Sequence, residues 1–154
     1  MKATRAALTL AFCLLTAAVC FAQNPFMGGW KLNDAKSKFG PGLTKNTTVT
    51  YEAAGDSIKV TVDGVDSAGK PVNSVWTGKF DGKAYPVTGG SEGSTRSYRK
   101  IGMRTLAFTE RSGGKITIFG RIVVSADGKS RTVTSTATDA SGKKNHSTAV
   151  YDKQ

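Results

Sequence analysis

The side chains able to do chemistry in this chain of 154 residues are few and poorly placed for a reaction. His146 is the single histidine, and the two cysteines, Cys13 and Cys20, lie near the N-terminus in a segment expected to be removed. Cysteine-built zinc sites and histidine-built metal sites are thereby excluded. Most carboxylates (Asp56, Asp63, Asp66, Asp81, Asp127, Asp139) sit beside Gly, Ser or Lys in short polar stretches and read as turn formers. Glu52 and Glu110 fall inside strand-like runs, but nothing in the sequence pairs them, so no acid–base couple is spelled out. The expectation is no catalytic residue, no metal, no cofactor and no enzyme.

Binding chemistry is better represented. Arg121 shares one face of the run Lys115–Ser125 with Thr117, Phe119 and Val123. If that face points inward, Arg121 is an anchor for a carboxylate or phosphate; if outward, it is a solvated cation. Tyr51, Trp76, Tyr98 and Tyr151, with Phe119, either line a cavity or fill a core. Arg96, Arg99, Lys100 and Arg104 crowd around Tyr98 as the densest basic patch. They form an electropositive rim for an acidic polymer or membrane surface, or else a plain solvated strand face. Aromatic interleaving is too thin for a nucleic-acid platform, and no Lys/Arg run marks a nucleic-acid arm. His146 reads as a surface residue beside a turn, or as a lone ligand contact. Asn46-Thr47-Thr48 and Asn145-His146-Ser147 match the glycosylation triplet, which counts only in a eukaryotic secretory route.

The elements that must position these groups begin after an export signal. Lys2 and Arg5 precede an apolar run, Ala6 to Phe21, and Cys20-Phe21-Ala22 supplies the small residues of a cleavage site. Residues 1–22 are therefore expected to be a secretory signal, and 23–154 a single domain, secreted or periplasmic. A lipid anchor at Cys20 is the alternative, disfavoured by bulky Val19. Without Lys2 and Arg5, 20 of the 22 basic residues remain against 11 acidic ones, a net charge of +9 that favours anionic partners. No cysteine is left, so the fold must hold without disulfides.

From Trp30 on, alternating runs of β-formers are separated by Gly-, Asp- and Ser-rich turns. The runs are Trp30–Asn33, Thr47–Ala53, Ile58–Asp63, Val72–Phe80, Ala84–Thr88, Thr95–Lys100, Arg104–Arg111, Lys115–Ser125, Arg131–Asp139 and Asn145–Tyr151. Asp34 to Lys45, broken by Gly40-Pro41-Gly42, is expected to be irregular or a single helical turn. About ten strands in sequential hairpins point to an all-β fold, a single antiparallel up-and-down β-barrel whose first and last strands pair to hide the edges. Thr132, Thr134, Thr136 and Thr138 on one face argue against an outer-membrane barrel, which needs an apolar outer band.

Two stretches carry a family likeness. Phe26-Met27-Gly28-Gly29-Trp30-Lys31-Leu32 resembles the first strand of the calycin superfamily, the lipocalins and fatty-acid-binding proteins. That resemblance implies a glycine passing closely under the barrel end and Trp30 plugging it. Ala149-Val150-Tyr151-Asp152-Lys153 resembles the Arg-x-Tyr-Glu-Lys ending of fatty-acid-binding proteins. The stretch Trp30 to Phe39 is also similar to the opening of a periplasmic lipocalin-like family that binds isoprenoids, with Lys36 in place of its usual His. Overall the chain looks most like small exported bacterial proteins of unassigned function that share this opening and the segment Phe80 to Val87. Two departures bear on ligand binding: Ala149 replaces the clamp arginine, and residues 33–45 are too few for a two-helix lid. The expectation is a lidless, monomeric, calycin-like barrel binding a small apolar or amphipathic ligand, an anionic lipid among them. The alternative is a packed barrel whose basic surface meets envelope polymers, a membrane or a protein.

Overall fold

The computed structural model describes residues 24–139 and 141–154; the expected signal at 1–22, with Cys20, lies outside the described residues. The strands are β1 (Gly28–Leu32), β2 (Lys38–Phe39), β3 (Lys45–Ala54), β4 (Ser57–Val65), β5 (Pro71–Gly78), β6 (Tyr85–Thr88), β7 (Thr95–Gly102), β8 (Thr105–Ser112), β9 (Lys115–Val124), β10 (Ser130–Thr138) and β11 (Lys144–Lys153). Each pairs antiparallel with the next from β3 to β11, and β1 bridges β3 and β11. The sheet thus closes into an up-and-down barrel. β1 and β2 both lie along β11, at Leu32↔Tyr151 and Ser147↔Phe39, so they share one stave and the barrel has ten.

The expected irregular link resolves into a 3₁₀ turn, Asp34–Lys36, and the two-residue β2. Asn33 caps the turn by accepting from the Lys36 amide at 3.2 Å. The Ser37 hydroxyl donates to the Asn33 carbonyl and accepts from the Val150 amide, which ties the link to the last strand. No helical lid is present among the described residues.

Turn chemistry sets the hairpins. Asp66 Oδ1 accepts from the Ala68 and Lys70 amides at 2.8 and 2.9 Å, and Asp139 Oδ1 from Ser141 and Lys143 at 3.0 Å each. Gly69 and Gly142 follow with φ of 79° and 84°, a region other residues avoid. In both turns a lysine follows the glycine, Lys70 and Lys143, so the same Asp-x-x-Gly-Lys device closes each hairpin.

Gly120 marks a close approach in the wall. A Cβ there would lie 2.1 Å from the Thr134 carbonyl oxygen and 2.9 Å from the Phe108 ring, so β9 can cross β10 this closely only without a side chain.

Alternation then divides the interior into two halves. At one end Phe26, Trp30, Val49, Tyr51, Val60, Trp76, Tyr98, Leu106, Val124 and Tyr151 are buried in one cluster. At the other end the inward residues Val72, Ser74, Val87, Arg96, Phe108, Glu110, Ile118, Val133, Ser135, Ala137, Asn145 and Ser147 are all half-buried. The barrel is solid at the Trp30 end and water-reached at its mouth.

Candidate functional site

Trp30 stands at the floor of this interior. Its indole N–H donates to the Phe26 carbonyl at 2.9 Å, and the ring is fully buried. Two cations cover it. The Arg131 guanidinium lies 4.9 Å from the ring centre and Lys153 Nζ lies 4.3 Å away. Gly28, at φ 90°, leaves room for the Lys153 side chain, whose Nζ donates to the Met27 carbonyl. Burial and then the Arg131 charge hold the Lys153 ammonium below its ordinary pKa.

Arg131 comes from the start of β10, directly across from Tyr151 and Val124. It is 2% exposed and packs against three aromatic faces, with Tyr51 at 5.1 Å and Tyr151 at 4.7 Å besides Trp30. Its Nε and Nη1 are buried and make no hydrogen bond. Three cation–π contacts return about 1–2 kcal/mol each when dry. Desolvating an unpaired cation costs several kcal/mol. The rings therefore offset the cost in part and leave two nitrogens, bearing three N–H groups, with hydrogen-bonding capacity to spare.

The inward carboxylate of Glu110 is already taken. Glu110 faces Arg96 across the β7–β8 pair and accepts from its Nε at 2.9 Å and its Nη2 at 2.6 Å, both at Oε2. Arg96 Nη1 reaches the Tyr98 hydroxyl at 3.5 Å. Burial pulls the Arg96 pKa down, but Tyr98 and Glu110 reverse this and the net shift is upward. Burial pushes Tyr98 up, with Tyr51 adding to it. Tyr151 is pushed up to about 12, chiefly by burial; its hydroxyl donates to the Asn46 carbonyl at 3.0 Å.

Tyr51, Trp76, Tyr98 and Tyr151 all point inward into the buried cluster, where Tyr51 and Trp76 each meet Tyr98 and Tyr151 lies against the Arg131 guanidinium. Trp76 meets Tyr98 edge-on at 4.8 Å, Tyr51 meets Tyr98 at 6.5 Å, and the Trp76 N–H is spent on the Arg96 carbonyl at 2.8 Å. Phe119 and Arg121 require correction as interior groups. Gly120, Ile122 and Val124 hold the inward face of β9, so Phe119 and Arg121 lie outside and exposed. Arg96 likewise leaves the expected basic surface patch, because its register against Glu110 turns it into the barrel. Arg99, Lys100 and Arg104 remain exposed. A hollow of about 570 Å³ lies open on the outer wall, lined by Phe119, Arg121, Thr134, Thr136 and His146. There His146 Nδ1 meets the Thr136 hydroxyl at 3.0 Å. Among the described residues no three groups of the metal-binding kind come together.

Arg131 was not among the sequence candidates, yet a signal for it exists. If Thr132, Thr134, Thr136 and Thr138 face outward, Arg131 must face inward. The Arg96–Glu110 pair was not readable, since the turn Met103-Arg104 alone would set Arg96 opposite Arg111, and the bulge at Ile101 shifts the register by one residue to Glu110.

No protein-family model matches the chain, and no curated protein matches it. The solved structures it resembles include designed barrels. One, EF1p2_mFAP2b bound to DFHBI, has a TM-score of 0.47 and 11% identity over 84% of this chain and 94% of that one. The redesigned β-barrel mFAP1, bound to DFHBI, has a TM-score of 0.40 and 15% identity, covering 84% and 95%. A third, a de novo designed fluorescence-activating β-barrel, has a TM-score of 0.40 and 17% identity, covering 86% and 97%. Likeness at this level says nothing about what this chain binds. What defines the protein is its own geometry: a closed antiparallel barrel with a plugged floor, a wetted mouth and a buried, unpaired arginine.

Proposed function

We propose that this protein is an exported, calycin-like binding protein, not an enzyme, whose barrel interior takes a small amphipathic anion. The carboxylate or phosphate of the ligand pairs with Arg131, and its apolar body lies among Val133, Phe108 and Val87 toward the mouth. The observation that carries this reading is the Arg131 guanidinium, 2% exposed, with Nε and Nη1 unpartnered. A charged donor in that setting gains more from an anion than a surface arginine would, because its desolvation is already complete. The half-buried inward face of the mouth offers the approach route, and no lid blocks it among the described residues. Residues packed over Arg131 must part for the ligand, so the site favours a compact molecule over a long-chain lipid. The Phe26–Leu32 opening and Trp30 under its two cations support the calycin-like reading. The sequence of residues 1–22 supports export.

Displacement of a fluorescent fatty acid by short-chain carboxylates tests the reading, measured on the wild-type protein and on Arg131→Met. Wild type is expected to bind and to lose affinity by about 2 kcal/mol or more on substitution, the scale of a charge-assisted hydrogen bond. Equal binding by both proteins, or none by either, would refute it.

A further inference from the structure

We propose that the outer face of β7–β9 docks on a bilayer containing anionic phospholipid. The large apolar side chains that stand exposed among the described residues all fall in this segment. They are Ile101 (42%), Met103 (83%), Ile116 (44%), Phe119 (42%) and Val123 (45%). Register gathers most of them. Met103 is at the tip of the β7–β8 turn, Ile101 stands at the bulge before it, and Val123 lies opposite Thr105 on the next strand. Phe119 and Arg121 continue the outward face of β9.

Cations surround these groups. Arg99, Ala107 and Arg121 form one cross-strand row, Arg104 lies in the turn beside Met103, and Lys100, opposite inward Leu106, emerges at the barrel rim next to them. Between Thr95 and Ser125 the sole carboxylate is Glu110, which is turned inward onto Arg96. The ion pairs among the described residues are Lys45–Asp34, Lys59–Glu52, Lys79–Asp56 and Arg96–Glu110, so Arg99, Lys100, Arg104 and Arg121 enter none. Asp81 is bridged to Arg99 by its backbone, and its carboxylate accepts from the Lys83 amide and the Tyr85 hydroxyl.

This mixture selects the partner. An acidic polysaccharide would use the cations and gain nothing from Met103 or Ile101. A nucleic-acid strand would ask for aromatic platforms. A bilayer surface uses both sets: apolar tips enter the headgroup boundary while Lys and Arg meet lipid phosphates. The inference is independent of the interior site, since it uses the outward side chains of β7–β9 while Arg131 points inward.

Co-sedimentation with vesicles of phosphatidylglycerol and phosphatidylcholine, against phosphatidylcholine alone, tests it. Wild type is expected to bind the mixed vesicles. The combined variant Arg99→Gln, Arg104→Gln, Arg121→Gln is expected to lose on the order of a hundredfold, at roughly fivefold per cation. Met103→Ser, which leaves the charge unchanged, is expected to lose severalfold. Lys38→Gln, Lys70→Gln, Lys143→Gln removes the same charge elsewhere and is expected to bind nearly as wild type. Circular dichroism checks that each variant folds. The proposal is overturned if wild type ignores the mixed vesicles, or if the two triple variants lose binding equally. It is also overturned if Met103→Ser binds as wild type, the result an acidic polymer site would give.

Discussion

Two buried arginines in this barrel have opposite circumstances, and substituting them separates the roles. Arg96 satisfies Glu110 inside the β7–β8 wall. Arg96→Met strands that carboxylate and is expected to cost about 3 kcal/mol in urea unfolding, the usual penalty for breaking a buried pair. Arg131 has no counterion. Arg131→Met removes three cation–π contacts but also a desolvation cost of similar size, so the ligand-free protein is expected to stay within about 2 kcal/mol of wild type. A loss near that of Arg96→Met would make Arg131 a purely structural residue. The buried tyrosines give a pH dependence. Tyr151 titrates at about 12 in the fold against an ordinary value of 10.0, and Tyr98 is also raised. Folding therefore favours the neutral phenols, and that stability is complete below pH 10. It is lost as pH rises toward 12, by about 3 kcal/mol for Tyr151 alone. Circular dichroism and tyrosinate absorbance followed together above pH 10 are expected to change in one cooperative step. Tyrosinate appearing well before unfolding would contradict the packing described. Of these residues the tyrosines were readable as inward candidates. Arg131 was hidden because both faces of its strand carry polar side chains, threonines on one and Arg131 and Ser135 on the other, so alternation alone marks neither as inward.

The strands themselves were legible, and the face each presents was less so. Every expected run has a counterpart, with ends moved by a few residues where hairpin bonds extend the ladder past the β-rich core of the run. The first and last strands pair as expected, through Leu32↔Tyr151. β9 misled for a physical reason. Ile116, Ile118, Phe119, Ile122, Val123 and Val124 put apolar side chains on both faces, so alternation cannot orient the strand. Register against β10 settles it, because Gly120 must be the inward residue where the wall closes on Thr134. That gives an element-scale prediction. Gly120→Ala places a methyl group against the backbone of β10 and the Phe108 ring, and is expected to cost about 3 kcal/mol in denaturant unfolding. Ala at Gly113, which has open space around its Cβ position but a φ of 55°, is expected to cost less. Equal losses would mean that the close approach at Gly120 does not constrain the wall.

Seen as a whole molecule, the barrel combines a dry aromatic floor, a mouth reached by water, and an outer wall that is apolar and cationic on one side. The floor explains why a protein without disulfides in its described residues can hold its shape. Trp30, Trp76, Tyr51, Tyr98 and Tyr151 each fill interior volume from a different strand, so losing any one stave exposes several rings. The same packing shows why a cavity could not be read from aromatic content: aromatic residues that line a pocket and those that fill a floor follow the same inward alternation. Ligand binding then depends on one unpaired charge in an otherwise satisfied interior. Native mass spectrometry of gently purified protein tests that claim most directly, with Arg131→Met prepared in parallel. The expected result is a small anionic amphiphile held by the wild-type barrel, either co-purified or taken up when offered, and absent from the variant. Wild-type protein that stays bare in repeated preparations and takes up no added carboxylate would contradict the account.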